Sequence, residues 1–398
     1  MKKGLSPPKE YFPLLDLLRG PAALLVFLEH WRNLFFVDFV DLEQPGMLLK
    51  LFYLATGAGH QAVMVFFVLS GCVIAHVVFT SHQRSSWSEY RYLLARVTRL
   101  WVVLIPALLL TAFWDWAGMR NAGGGASIYD GTGFGHILST PLAEVTSPGI
   151  FLGNLLFLQK VFVPTFGSNG PLWSISYEFI YYLVYPALIT VRLASQTAIK
   201  RTGAALFALG LLAVAGGQIA AHFPVWLAGA GAYYLFRRRK IASPVALWSF
   251  GLGLVALAGV IATSRTGFDI PGIDWSWIIC LITAVGVFFG LQAQLSPKTI
   301  RLVRPMYHLS AISYSLYLLH TPLFVFIASL FFRSNRDRWI PDLWHLAIAT
   351  LIAVIVFGYC VLIWSFTERK TDRLRRWLVN VGVIKPVVVQ TGTNSADG

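Results

Sequence analysis

The chain has 398 residues, of which 56% are hydrophobic and only 13% are charged. Soluble domains carry about 25% charged residues, so this composition argues against a soluble enzyme and favours a membrane protein. The formal net charge is +14, but the basic residues form short clusters between apolar runs, as in the cytoplasmic loops of membrane proteins. We therefore expect an all-α, polytopic bundle of membrane helices with no nucleic acid as a partner.

Taken in chain order, ten apolar runs are predicted to cross a bilayer, whose hydrocarbon core takes about 20 helical residues to span. They are residues 14–36, 61–80, 97–117, 172–192, 203–221, 223–236, 245–263, 276–293, 310–332 and 343–366. The fifth and sixth runs are separated only by a predicted turn at residues 222–224. With a cytoplasmic N-terminus, 23 of the 32 basic residues lie on the inner side and 7 on the outer side. This asymmetry predicts that both termini are cytoplasmic.

Two stretches between these runs are predicted not to cross. Residues 150–163 are apolar but short, and runs of about 10–14 residues are typical of re-entrant or interfacial segments. Residues 118–149 contain three consecutive glycines and are predicted to form an outer loop. We expect residues 1–370 to form one membrane domain, followed by a basic and then disordered cytoplasmic tail at residues 371–398.

The first span contains charged residues that a lipid-facing helix would not tolerate cheaply, since a central Arg or Asp costs about 2.5–3.5 kcal/mol on insertion scales. Arg19 and His30 are the two of interest here. At 100° per residue they lie on one face of the helix, roughly 16 Å apart along its axis. An aligned Arg and His at different depths suit a tunnel with a cationic end and a basic end. The alternative is that Arg19 only reaches the inner interface with its charged end.

The second polar stretch is GPLWSISYEFIYYLVYP, residues 170–186. It places Ser174 and Glu178 one helical turn apart, with Ser176 between them. If this helix enters from the outer side, Glu178 lies at nearly the same depth as His30, which allows the two side chains to meet. A carboxylate beside a histidine can orient and polarise the imidazole. The alternative is a structural hydrogen bond between helices.

Three further motifs place polar residues in or beside spans. FFVLSG contains Ser70 beside a glycine, a pair that commonly serves close helix packing. RVTRL contains Arg96 and Arg99, which share a helix face and can bind phosphates, although basic residues at the inner end of a span are common. The last motif, ISYSLYLLHTPL, is residues 312–323 and contributes Tyr314, Tyr317 and His320.

Taken together and in this order, these stretches resemble the acyltransferase-3 family of membrane acyltransferases. The family pattern is an Arg followed by a His in the first helix, a phenylalanine-rich LSG segment, RxxR at the third helix, a WSLSxE-like segment and SYSLYLxH. The resemblance covers roughly residues 12–370. Two positions depart from the pattern: Phe179 stands where a second acidic residue often follows the glutamate, and Lys370 replaces the proline of the closing F-x-E-x-P.

This resemblance implies roles for the residues and a reaction for the protein. It implies that His30 is the catalytic base, that Glu178 belongs to the catalytic centre, and that Arg19, Arg96 and Arg99 bind coenzyme A. The residues expected to bind substrate or to be structural are Ser70, Ser174, Ser176, Tyr314, Tyr317 and His320. The expected activity is transfer of an acyl group, acetyl or another short chain, from cytoplasmic acyl-CoA to a hydroxyl of a sugar, glycan or secondary metabolite.

The setting follows from the same reasoning. We expect a multi-pass protein of the cytoplasmic (inner) membrane, in contact with membrane lipid, with no tightly bound cofactor and no metal. A proton- or ion-coupled transporter that uses the same buried charges is the main alternative, because intramembrane charges alone do not separate the two classes. A glycan-binding or scaffold component of an export complex is a third reading, and it predicts no affinity for acyl-CoA.

Overall fold

The computed structural model describes residues 12–121, 127–131, 134, 138, 140–193, 195–265 and 274–380. The glycine triplet of the predicted outer loop and most of the predicted disordered tail lie outside these ranges. Within them the secondary structure is helical, with two isolated β-bridges and no strand. The α-helices are α1 (Pro13–Phe35), α2 (Met47–Thr56), α3 (Gly59–Gln83), α4 (Glu89–Asn121), α5 (Pro148–Leu155), α6 (Trp173–Arg192), α7 (Ala198–Ala215), α8 (Gly217–Arg238), α9 (Ser243–Ser264), α10 (Trp275–Gly290), α11 (Pro297–Phe331), α12 (Leu343–Phe366) and α13 (Thr371–Asn380).

Seven helices in the described residues are long and apolar enough to cross a membrane, by length and composition. They contain α3, α4, α7, α8, α9, α11 and α12. The three remaining predicted spans correspond to α1, α6 and α10. Helix α1 carries several charged residues, and α10 has only 16 residues. The predicted count of ten therefore stays a prediction, whereas the all-helical, multi-pass membrane architecture is supported.

One local prediction needs correction. The break between the fifth and sixth predicted spans lies at Gly216, where φ is +91°, and Pro224 is inside α8. A positive φ is readily adopted by glycine, whereas proline is tolerated in membrane helices, so the turn forms at the glycine. The chain also forms α2, which lies between the first two predicted spans.

The predicted re-entrant stretch contains the eight-residue helix α5, which is too short to span a bilayer. The chain after it is irregular, and Phe157 and Lys160 both have positive φ. Asp115 of α4 anchors the continuation of this segment, because its carboxylate accepts hydrogen bonds from the backbone N–H of Ser168 at 2.9 Å and from its hydroxyl at 2.5 Å. The segment is thus fastened to the bundle beside the start of α6.

Helix α1 is the central helix of the bundle, and it packs along α11 and α3. It runs parallel to α11, since Asp16 accepts a hydrogen bond from Ser310 near one end, whereas Phe27 contacts Phe324 further along both helices. This parallel arrangement brings the polar residues of the two helices to matching depths.

The start of α1, the ends of α3 and α8, the start of α4 and helix α13 all lie on the same side of the bundle. Phe12, just before α1, contacts Phe236 at the end of α8. Arg237 of α8 reaches Gln83 at the end of α3, and Arg375 of α13 bonds Ala95 in the first turns of α4. These contacts define one end of the bundle, called the basic end below, because it collects the Arg and Lys clusters of the loops.

Several helices expose large apolar side chains over much of their surface. Leu206 and Leu209 of α7 are 66% and 67% exposed, and Trp248 and Leu252 of α9 are 82% and 71% exposed. Water would make such a surface unfavourable, whereas lipid would not. The outer surface of the bundle is therefore that of an integral membrane protein.

Helices α3 and α8 approach each other through glycine, which gives the LSG motif a packing role. A Cβ atom on Gly71 would overlap the backbone carbonyl oxygen of Trp226, and one on Gly229 would overlap that of Val68. We expect Gly71→Ala and Gly229→Ala each to destabilise the protein by about 1–3 kcal/mol, the usual effect of overpacking.

The thermal unfolding midpoint of the protein in detergent measures this effect. Gly231→Ala is the matched control on α8, because a Cβ atom there meets no atom within 4 Å. Equal midpoints for the Gly71 and Gly231 variants would contradict the packing role.

Candidate active site

A cavity of about 380 Å³ opens within the bundle, lined by α1, α3, α4, α6, α11 and α13. The sequence-predicted residues that line it are Arg19, Ser70, Arg96, Arg99, Ser174, Glu178, Tyr314 and Tyr317. Eight residues chosen from five separate sequence stretches therefore converge on one space. Three predicted residues, Ser176, His30 and His320, do not line it.

Arginine side chains dominate the electrostatics of this cavity. Arg19 is on α1. Arg96 and Arg99 are three residues apart on α4, so they lie on one face of that helix. Among the described residues, no carboxylate oxygen lies within 4.0 Å of their guanidinium nitrogens. Arg99 is exposed although it lines the cavity, so solvent reaches this part of it. The arrangement is a cluster of unpaired cations suited to binding an anion.

Glu178 lies in the same cavity but is already hydrogen-bonded. Its carboxylate accepts a bond from the Ser70 hydroxyl at 3.0 Å and another from the Tyr182 hydroxyl. Ser70 in turn accepts a bond from the Trp226 indole at 3.2 Å. The LSG serine thus connects α8 to the α6 glutamate. Glu178 is the one carboxylate that lines the cavity among the described residues, and this network holds it in position.

Hydroxyl groups mark the end of the cavity away from the arginines. The Ser174 and Tyr317 hydroxyls lie 2.8 Å apart and share a hydrogen bond. Tyr314 is one turn earlier on α11 and nearer to the arginines, because it donates to the carbonyl of Leu100, the residue after Arg99, at 3.2 Å. Ser176 is fully buried and bonds the Trp173 carbonyl, so its contact is within the first turn of α6.

His30 and His320 form a pair beyond this end of the cavity. His320 is fully buried, and its Nε2 lies 3.0 Å from His30 Nδ1. His320 is three residues past Tyr317 on α11, which is about 4.5 Å along the helix axis. The pair therefore lies about one helical turn beyond the hydroxyl groups that end the cavity.

Hydrogen bonds to backbone carbonyls fix which ring nitrogens of the pair carry protons. His320 Nδ1 lies 2.5 Å from the Leu316 carbonyl, and a carbonyl can only accept, so Nδ1 carries the proton. If the His320 ring is neutral, its Nε2 is a hydrogen-bond acceptor. His30 Nδ1 therefore carries the proton, and it donates to both His320 Nε2 and the Val26 carbonyl, each at 3.0 Å. This assignment leaves His30 Nε2 without a proton and free to accept one.

The pairing corrects one expectation from the sequence. Equal depth allowed His30 to meet Glu178, but no hydrogen bond or ion pair joins these two described residues. The partner of His30 is His320, and the partners of Glu178 are Ser70 and Tyr182. Similar depth along two helices does not determine which faces they turn toward each other.

Comparison with known proteins assigns the fold to a family. The model of the acyltransferase-3 family, described as an acyltransferase domain, matches residues 12–363. The chain belongs to the acyltransferase-3 family. No curated protein and no solved structure matches it. The family resemblance and the prediction of an enzyme are thereby confirmed.

The structure of this acyltransferase also contains site residues that sequence reasoning did not select. Tyr182 and Trp226 complete the network around Glu178 and Ser70, and Arg375 lines the cavity from α13. Tyr182 is visible in the sequence as the residue one turn after Glu178. Trp226 and Arg375 have no such local signal, since each meets its partners only through the packing of distant helices.

Proposed function

We propose that the protein transfers an acyl group, acetyl or another short chain, from cytoplasmic acyl-CoA to a hydroxyl of a sugar, glycan or secondary metabolite. The observation that carries this proposal is one line of sites through the bundle: an arginine-lined cavity, then a histidine base beyond its far end. The proposal includes ten membrane crossings and a location in the cytoplasmic (inner) membrane. The basic end of the bundle then faces the cytoplasm.

The arginine cluster is the proposed site for the phosphates of the donor. Guanidinium groups bind phosphate oxygens through paired, charge-assisted hydrogen bonds, which are stronger than neutral ones. Arg19 and His30 are separated by roughly 16 Å along α1 at 1.5 Å per residue. The extended pantetheine arm of coenzyme A would cover this distance, so that the phosphates and the thioester occupy the two ends of the line.

The chemical step needs one proton acceptor. His30 Nε2 takes the proton of the acceptor hydroxyl as the oxygen attacks the thioester carbon and forms the new C–O bond. The C–S bond then breaks, and the sulfur of coenzyme A leaves with the proton from His30, which restores the base. The positive charge that forms on His30 is stabilised by its Nδ1 proton, which His320 and the Val26 carbonyl accept. His320 is therefore proposed as a positioning residue.

The acceptor is proposed to approach His30 from the side opposite the basic end. His30 is half-buried, and on that side His60 and Trp173 stack with ring centroids 6.5 Å apart. Glu29 is held at the N-terminus of α3, where the backbone N–H groups of Gly59 and His60 bond its carboxylate. Aromatic faces with nearby polar groups suit a polyhydroxylated acceptor.

Donor binding is the test of this proposal that needs no knowledge of the acceptor. The purified protein is heated in detergent with a series of acyl-CoAs of increasing chain length. A ligand at 100 times its dissociation constant should stabilise the folded state by about 2.7 kcal/mol. A rise in unfolding midpoint with one chain length names the donor. No rise with any acyl-CoA, in protein shown to be folded, would remove the proposal.

Replacement of His320 by alanine should slow transfer about a hundredfold, because the partner that orients a histidine base is worth up to about 10⁴-fold in the serine-protease triad. The maximal rate should fall while the KM for acyl-CoA stays unchanged, since His320 lies outside the donor cavity. A simple loss of fold would instead lower donor binding as well. An unchanged maximal rate would contradict the positioning role.

The transporter alternative uses the same buried charges, but no observation favours it. The buried polar residues fall into two groups, the arginine cluster and the histidine pair. Acyl transfer explains both groups with one substrate, whose phosphates and thioester need different side chains.

A further inference from the structure

The chain that follows α12 covers the arginine end of the cavity. It consists of a short 3-10 helix (Glu368–Lys370) and α13, which packs against α4. This segment lies beyond residue 363, where the match to the family model ends. One of its side chains, Arg375, lines the cavity together with Arg96 and Arg99.

Directed hydrogen bonds fasten this segment to α11. The Glu368 carboxylate accepts bonds from the Ser315 backbone N–H at 3.1 Å and from the Ser315 hydroxyl at 2.7 Å. The Trp364 indole, at the end of α12, donates to the Ala311 carbonyl at 2.9 Å. Ala311 and Ser315 are four residues apart, one turn of α11. The segment is therefore held at a defined position beside the cavity.

Arg375 is the basic residue of α13 that turns inward. Its Nη2 donates to the Ala95 carbonyl of α4 at 2.6 Å, and its buried Nε has no hydrogen-bond partner. The Nε of Arg96 is also buried without a partner. In contrast, Arg373 and Arg376 on the same helix are exposed and do not line the cavity.

Four guanidinium groups, those of Arg19, Arg96, Arg99 and Arg375, therefore line one cavity. The nearest carboxylate to any of their nitrogens, among described residues, is that of Asp372, 4.0 Å from Arg375. Grouping like charges is unfavourable unless an anion neutralises them. A cluster of four favours a ligand with several negative charges, and the phosphates of coenzyme A supply them.

We propose that Arg375 is a donor-binding residue, which with Arg96 holds a phosphate group of the acyl-CoA at the basic end of the cavity. This inference rests on the proposed function, because it takes acyl-CoA as the donor. It makes α13 part of the donor site rather than a tail outside the enzyme. Binding involves no covalent step, so the effect of Arg375 is on affinity.

Equilibrium binding of radiolabelled acetyl-CoA to the purified full-length protein tests the proposal. Arg375→Ala should weaken binding about tenfold to a hundredfold, the worth of a hydrogen bond to a charged group. Arg376→Ala is the matched control, since it removes the same charge from an exposed neighbour and should bind as the unchanged protein does. Arg375→Lys should retain part of the affinity, because it keeps the charge and loses the planar fork.

Competition by acetyl-pantetheine, which has no phosphate, separates a phosphate contact from a structural role. Arg375→Ala should leave the affinity for this competitor unchanged. Equal losses for acetyl-CoA and acetyl-pantetheine, or equal acetyl-CoA affinities for the Arg375→Ala and Arg376→Ala variants, would overturn the proposal while leaving the proposed function in place. Failure of the unchanged protein to bind acetyl-CoA would instead overturn both.

Discussion

Substitution of His30 by alanine is expected to abolish acyl transfer, while the protein stays folded in the membrane and still binds acetyl-CoA. General-base assistance is worth about 10²–10⁴-fold, and the other unprotonated nitrogen of the pair, Nε2 of His320, belongs to a fully buried ring. His30 lies outside the arginine-lined cavity, so the dissociation constant for the donor should change little. The measurement uses membranes of the cells that naturally make the protein, because these membranes hold its acceptor. Radiolabelled acetyl-CoA is added, and the label transferred to the acceptor is counted.

His345→Ala is the matched control for this variant. The His345 ring bonds Asp342 at the start of α12, far along the chain from the proposed chemistry, and its removal should leave the transfer rate unchanged. Normal transfer by the His30 variant would remove His30 from the mechanism. Loss of both transfer and donor binding would show that the variant is misfolded, and His30→Gln, which keeps a polar side chain of similar reach, would then replace it.

The double substitution Arg96→Ala/Arg99→Ala should weaken acetyl-CoA binding about a thousandfold. Each hydrogen bond between a guanidinium and a phosphate is worth about 1.5–3 kcal/mol. When the two losses add, their sum corresponds to about a thousandfold change in the dissociation constant. The apparent KM for acetyl-CoA should rise accordingly, whereas the maximal rate at saturating donor should be retained. Isothermal titration calorimetry gives the affinity directly.

The matched control for the arginine pair is Arg373→Ala/Arg376→Ala, which removes two exposed charges near the same end of the bundle. Its affinity for acetyl-CoA should equal that of the unchanged protein apart from weak, salt-dependent effects. If both double variants bind equally well, the cavity arginines are not the donor site. Raising the salt concentration provides a second check, because charge-based binding weakens as screening increases.

The sequence predicted the helical architecture well where apolar runs were uniform. The last predicted span, residues 343–366, coincides with α12. The candidate site residues were selected because an ion or a histidine inside a span is costly. Eight of the predicted residues line one cavity, although their roles stay predictions.

The pairing of side chains between helices was beyond the reach of the sequence. Helical periodicity assigns residues to faces, but it does not say which neighbour each face meets, so His30 was placed near Glu178 rather than His320. The break at Gly216 was missed for a related reason, because proline is a stronger local signal than a lone glycine. Arg375 was counted only as one of several basic residues after α12.

The measurement that tests the central claim most directly is photo-crosslinking with an acyl-CoA whose acyl group carries a diazirine. The donor is proposed to extend from the arginine cluster to the histidine pair. Crosslinks should therefore fall on residues 27–31 of α1 and 317–321 of α11, and the Arg96→Ala/Arg99→Ala variant should lose them. Crosslinks confined to the lipid-facing surfaces of α7 and α9, unaffected by the arginine substitutions, would contradict the account.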